Sequence, residues 1–236
     1  MRKSALTMMA MFLVLCAAQA ETVDFETPTY STGNINAQDS WTVSAGTANI
    51  ESNTPSILGS GNQELGVNAS GTAYRNFGGS SFAENTTFIF KAGRTATMQG
   101  NVRLGLGSNT ADAIVNVYFT FSSGIYAYDG ASQVQVWSQF DFNDVYEITC
   151  DVDFDARTYD IVIENLTDST SASLADLDFY SVKSLSQFEA SGGTVRIDAS
   201  FNTLFADDIS IGPTPFVWPS FYETFENNPT NAGAIG

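Results

Sequence analysis

The sequence predicts an all-β protein built as a two-layer sandwich. Three observations predict it. Apolar and polar residues alternate with period 2 along most of the chain, turn residues separate the runs, and no segment carries a clear amphipathic helical pattern. Glycine is common at 19 and proline scarce at 6, as many short strands joined by turns require.

Met1–Ala20 has the form of a secretory signal. Arg2 and Lys3 give a basic start, Ala5–Ala18 is apolar but too short to span a bilayer, and Ala18-Gln19-Ala20 offers a small-x-small cleavage site. Leu15, just before Cys16, is too large for a lipoprotein site. Cleavage after Ala20 would leave 216 residues with 7 basic and 26 acidic side chains, a net charge of −19. That charge repels nucleic acid and anionic lipid, which excludes both as partners, and no later apolar run is long enough for membrane insertion. An acidic surface suits a soluble extracellular protein and leaves open a role in holding divalent cations. Length allows one large sandwich with its own core.

Strands are expected in order at Val23–Glu26, Trp41–Val43, Ala48–Glu51, Gln63–Asn68, Tyr74–Phe77, Thr86–Ala92, Asn101–Leu106, Ala113–Phe121, Ile125–Tyr128 and Val134–Trp137. Pro28–Ser40 and Asn53–Asn62 read as loops. The clearest unit follows at Val145–Leu166. Ile148, Cys150, Val152 and Phe154 alternate with Thr149, Asp151, Asp153 and Asp155. After a break at Asp155–Thr158, Tyr159, Ile161 and Ile163 resume the apolar face. Two such runs predict an antiparallel hairpin at the centre of the sandwich. Ser173–Ser186 fits a short helix or a strand and loop equally well. Thr194–Asp198 and Leu204–Ile211 complete a domain over residues 21–212.

Pro213, Pro215 and Pro219 mark a linker over residues 213–220. Beyond it, Phe225-Glu226, Gly233 and Ile235 repeat Phe25-Glu26, Gly33 and Ile35 at an offset of 200. Residues 221–236 therefore read as the start of a second, related unit, or as a disordered tail.

The chain has no histidine, which removes Ser-His-Asp and Cys-His nucleophile systems and histidine zinc sites. Cys150 is the only cysteine after the signal, so no internal disulfide forms. Its place on the apolar stripe predicts a buried, inert thiol. Asp151, Asp153 and Asp155 share a face but run into a turn. Without the glycine and final glutamate of an EF-hand loop they read as a charged rim or a weak cation site. Asn68-Ala69-Ser70, Asn85-Thr86-Thr87 and Asn165-Leu166-Thr167 are glycosylation sequons.

Alternation also sorts the binding candidates. Ala113, Val115, Val117, Phe119 and Phe121 are expected on the core face of their strand, which turns Asn116 and Tyr118 outward. Tyr126 and Tyr128 oppose Ile125 and Ala127, and Gln135 and Trp137 oppose Val134 and Val136. Asn116, Tyr118, Tyr126, Tyr128, Gln135 and Trp137 are thus expected on one ligand-binding face, with Lys91 and Arg103 able to join it. Aromatic planes stack on sugar rings and amides bind their hydroxyls.

Three passages, in this order, resemble the concanavalin A-like lectin/glucanase superfamily in its bacterial laminin G-like variants. They are Asp24-Phe25-Glu26, the hairpin from Tyr146 through Ile161, and Phe205-Ala206-Asp207-Asp208-Ile209-Ser210-Ile211. The resemblance spans Val23–Gly212 and implies a two-sheet antiparallel jelly roll with a glycan-binding concave face. It also implies a structural calcium ion (Ca2+) where the first and last strands meet, with Glu26 and Asp207 or Asp208 as ligands. The Glu-x-Asp-x-(x)-Glu strand of the glucanases has no match, so no catalytic residue is assigned.

Three functions are compatible with these residues. The first is a secreted, non-catalytic binding or adhesion module for a polysaccharide or cell-surface glycan. The second is a structural domain of a larger repetitive cell-surface protein. The third is a divergent polysaccharide hydrolase or lyase.

Overall fold

In a computed structural model, residues 19–52, 57, 58, 61, 63–107, 109–122 and 124–214 are described. Residues 1–18 of the expected signal, residues 215–220 of the expected linker and residues 221–236, expected as a second unit or a tail, lie outside them. The first strands are β1 (Glu21–Val23), β2 (Gly33–Asn34), β3 (Thr42–Ala45), β4 (Ala48–Ser52), β5 (Gln63–Val67) and β6 (Gly71–Phe77). Next come β7 (Asn85–Gly93), β8 (Gln99–Gly105), β9 (Ala113–Thr120), β10 (Gly124–Asp129) and β11 (Ser132–Trp137). The chain continues through β12 (Val145–Asp153), β13 (Thr158–Asn165) and β14 (Thr170–Asp178). It ends with the helix α1 (Leu185–Ser191), then β15 (Gly193–Phe201) and β16 (Leu204–Pro213).

They form two antiparallel sheets. One runs in the order β14-β13-β12-β7-β16-β5-β4-β2, with β1 also paired to β16. The other runs β11-β10-β9-β8-β15-β6-β3. The two-layer jelly-roll sandwich expected from the sequence is thus the fold of the chain.

The predicted hairpin is β12–β13, in the register Ile148↔Ile163 and Cys150↔Ile161. It lies inside the larger sheet, one strand from its edge, rather than at its middle. Tyr146, Ile148, Val152, Tyr159, Ile161 and Ile163 are at most 1% exposed, and each such side chain contributes about 1.5–3 kcal/mol by burial. Asp153 closes the turn. Its Oδ1 accepts the N–H groups of Asp155 at 2.9 Å and Ala156 at 2.8 Å, and Arg157 takes the left-handed conformation (φ 62°). Asp151 accepts a bond of 2.7 Å from Thr87 Oγ1. Two of the three aspartates are thus held by hydrogen bonds at this end of the hairpin.

The ambiguous 173–186 segment divides. Its first part belongs to β14, an edge strand on which only Leu177 is buried, as a polar edge that resists pairing with other chains should be. The helix α1 begins at the end of the segment. Gln187 Oε1 accepts the Ser184 N–H at 3.0 Å in a capping box, and Gly192 (φ 73°) ends the helix. Phe188 anchors it between Phe82 and Phe154, with ring centroids 4.9 and 5.0 Å away.

Candidate functional site

Strands β8, β9, β10 and β15 each turn one face to the core. Val102, Leu104, Val115, Val117, Phe119, Ile125, Ala127, Val195 and Ile197 are all 0% exposed. The alternate residues form the outer face of the seven-stranded sheet. Pairing across the ladders lines up Gln135, Tyr126, Tyr118, Asn101, Asp198 and Thr72 in one row. The parallel row holds Gln133 and Tyr128 on one side and Asn116, Arg103, Arg196 and Tyr74 on the other. Tyr128 comes next to Asn116, one step beyond the Ala127↔Val117 pair.

The tyrosines are partly exposed. The Tyr118 and Tyr126 rings are tilted with centroids 6.4 Å apart. Tyr180, from the segment after β14, meets Tyr128 edge-on at 5.2 Å. Gln99 Nε2 donates to the Tyr118 hydroxyl, and Gln133 Nε2 donates to that of Tyr128 at 2.6 Å. Burial, with Tyr128 and Tyr126 nearby, pushes the Tyr118 phenol above its ordinary range, so it remains a neutral donor.

Asp198 organises the charged part of the face. It pairs with Arg103, receives Arg196 Nη2 at 2.7 Å and accepts Thr72 Oγ1 at 2.7 Å. Burial pulls the Arg103 guanidinium downward, and Asp198 opposes that shift. Beside this hub, Asn116 is 3% exposed, and neither its Oδ1 nor Arg103 Nε has a hydrogen-bond partner among the described residues. Both atoms are closed off from solvent beneath the face.

The structure therefore brings together Asn116, Tyr118, Tyr126, Tyr128, Gln135 and Arg103. It corrects two other expectations. Trp137 is not on this face. A bulge between Ile125 and Tyr126 shifts the β10–β11 register and sets Trp137 opposite core-facing Ile125. Its ring packs on Tyr146 instead. Lys91 lies in the other sheet, on β7, where it pairs with Asp208 at 2.8 Å.

Sequence reasoning missed Tyr180, Gln99, Asn101, Arg196, Asp198, Thr72 and Tyr74. Alternation with Val195 and Ile197 already placed Arg196 and Asp198 outward. Tyr180 follows a strand end and carries no periodic signal.

Each of the expected calcium ligands accepts a hydrogen bond within the protein. The first and last strands do meet, with Val23 opposite Ile209. However, Asp208 is spent on Lys91, and Glu26 Oε1 accepts the Gln63 N–H at 2.9 Å. Asp207, 0% exposed, accepts the Asp208 N–H at 2.8 Å. Among the described residues no group of three or more Asp, Glu, Cys or His side chains is placed to hold a metal ion. Glu26, Asp207 and Asp208 remain the ligands that the family resemblance implies, two or three carboxylates to be completed by backbone carbonyls.

No family model and no curated protein matches the chain. Solved structures do match it in fold. Lectin II from Ulex europaeus has a TM-score of 0.51 at 10% identity, covering 82% of this chain and 97% of its own. Lectin UEA-II complexed with galactose has a TM-score of 0.50 at 9% identity, covering 82% and 98%. The chain has the fold of the concanavalin A-like lectin superfamily.

Proposed function

We propose that this chain is a secreted, non-catalytic glycan-binding module whose site is the outer face of its seven-stranded sheet. The observation that carries this reading is the tyrosine face itself. Tyr118, Tyr126, Tyr128 and Tyr180 share the face with polar side chains that include Gln135, Asn101 and the Arg103–Asp198–Arg196 hub. Rings of this kind stack on pyranose faces at little rotamer cost, and fixed amides and guanidinium groups bind hydroxyls. A lectin of the same fold has been solved with galactose, which supports a sugar as ligand class.

Hydrolysis of a glycosidic bond needs two carboxyl groups flanking it. Among the described residues of these strands, Asp198 is the one carboxylate on the face, and it is tied to Arg103, Arg196 and Thr72. The face therefore favours holding a glycan over cutting it. Among the described residues no helix is long and apolar enough to cross a membrane. Release from the cell would follow from the Met1–Ala20 signal.

A glycan array followed by calorimetry on the best ligand tests the reading. Tyr126→Ala and Tyr118→Ala should each weaken binding by about tenfold, or ~1.4 kcal/mol. Affinity that both variants leave intact would remove this face from consideration.

A further inference from the structure

A second feature lies at one end of the sandwich. The β7–β8 connection, the turn after β9 and the β11–β12 connection enclose a cavity of about 330 Å³ lined by Arg94, Phe121, Ser122, Ser138, Gln139, Asp141 and Phe142. Arg94 is 3% exposed. Its Nη2 donates to the Phe140 carbonyl, and its guanidinium carbon stands 4.1 Å from the Phe142 ring centroid and 5.2 Å from that of Phe140. Its Nε and Nη1 are closed to solvent and have no hydrogen-bond partner among the described residues, and Asp141, whose charge favours the guanidinium against burial, makes no ion pair with it.

We infer that this cavity is a binding site for a carboxylate, with Arg94 as its anchoring cation. A buried guanidinium with unspent donors is costly unless an anion completes it. Ring stacking supplies part of that compensation but leaves the in-plane N–H groups unmet. Hydroxyls of Ser122 and Ser138 and the Gln139 amide line the same cavity and can bond the remaining carboxylate oxygen. Phe121 and Phe142, 47% and 48% exposed, stand at the lip as apolar surface for the body that carries the acid.

Asp141 sets the charge limit. Its Oδ1 accepts from Gln139 Nε2, so a carboxylate enters the cavity beside it. A single negative charge opposite Arg94 is tolerated there far better than a phosphate dianion. Carboxylates of this form occur in uronic acid residues and at peptide C-termini. The inference does not rest on the glycan reading, because none of these residues lies on the tyrosine face.

Calorimetric titration of the full chain tests it with two pairs of probes. One pair is a galacturonate trimer and its methyl ester. The other is a short peptide ending in phenylalanine, with a free or an amidated C-terminus. One of the acids should bind at least about tenfold more tightly than its neutral partner. The pair that discriminates identifies the source of the carboxylate. Gln139→Glu should weaken that binding about tenfold, and Asp141→Asn should strengthen it severalfold. Arg94→Gln should abolish it. If that variant fails to fold, the Gln139 and Asp141 variants decide. Tyr126→Ala should leave it unchanged, which separates this site from the sheet face. Lack of binding of either acid at ~10 mM, equal binding of acid and neutral forms, or indifference to both Gln139→Glu and Asp141→Asn overturns the inference.

Discussion

Trp137 stands opposite Ile125 in the β10–β11 ladder and meets the Tyr146 ring edge-on, with centroids 5.8 Å apart. Tyr146 belongs to the other sheet and is 0% exposed. Trp137 therefore joins the two layers where their edge strands approach each other. Trp137→Ala should cost about 3 kcal/mol, at the low end for loss of a large aromatic because the ring is only partly buried. Glycan affinity should be unchanged. Urea unfolding and calorimetry on the same variant check both halves. A variant of wild-type stability that no longer binds would return Trp137 to the ligand face.

The Asp198 hub makes a second expectation. Arg103 and Arg196 are register partners across β8 and β15, and both reach the same carboxylate. Asp198→Asn removes the carboxylate that the two guanidinium groups share. The expected cost is ~3 kcal/mol, typical of removing one member of a buried pair. Added salt should recover part of it by screening the repulsion. A variant whose urea midpoint is that of wild type at low salt would show that the two arginines do not depend on Asp198.

Local pattern made most of this fold legible. Val145–Leu166 was readable because one face of each strand is buried, so its period of 2 is strict. The outward placement of Tyr118, Tyr126 and Tyr128 followed from the same rule. Trp137 was misplaced because a bulge shifts register without disturbing the alternation of Val134 and Val136. Lys91 was misplaced for a different reason. Alternation gives the face of a strand, but which sheet receives β7 depends on pairing with β12 and β16, far away in sequence. The helix α1 has seven residues and one buried side chain, too few for a helical period to emerge, although Ser184 and Gln187 carried a capping signal. β2 has two residues and gives no pattern.

Cys150 makes a third expectation. It is 0% exposed, and burial pushes its thiol far above the ordinary range, with Asp151 adding to the shift. The thiolate is the reactive form, so a native Cys150 should not react with a disulfide reagent at mildly alkaline pH. Labelling should appear only as the chain unfolds in urea. Cys150→Ser should cost about 1–3 kcal/mol by placing a hydroxyl among Ile148, Val152 and Ile161. Rapid stoichiometric labelling of the folded protein would contradict this burial.

The last expectation concerns pH and the pair Glu51 and Glu64, which face each other across β4 and β5. Glu64 is 0% exposed and accepts the Leu58 N–H at 3.1 Å. Burial and the charge of Glu64 push the Glu51 carboxyl above its usual value of 4.5. The folded chain then holds this proton more tightly than the unfolded chain does. Well below the usual carboxylate range both states carry the proton, and Glu51 costs nothing. As pH rises through the window between the unfolded and folded values, the unfolded chain releases the proton first and stability falls. Glu51→Gln removes that loss. Its Tm should exceed that of wild type at pH ~7, and the gap should close as pH falls to ~4. A gap that widens toward acid pH would mean that Glu51 is stabilised as a carboxylate, the opposite of what its place beside Glu64 implies.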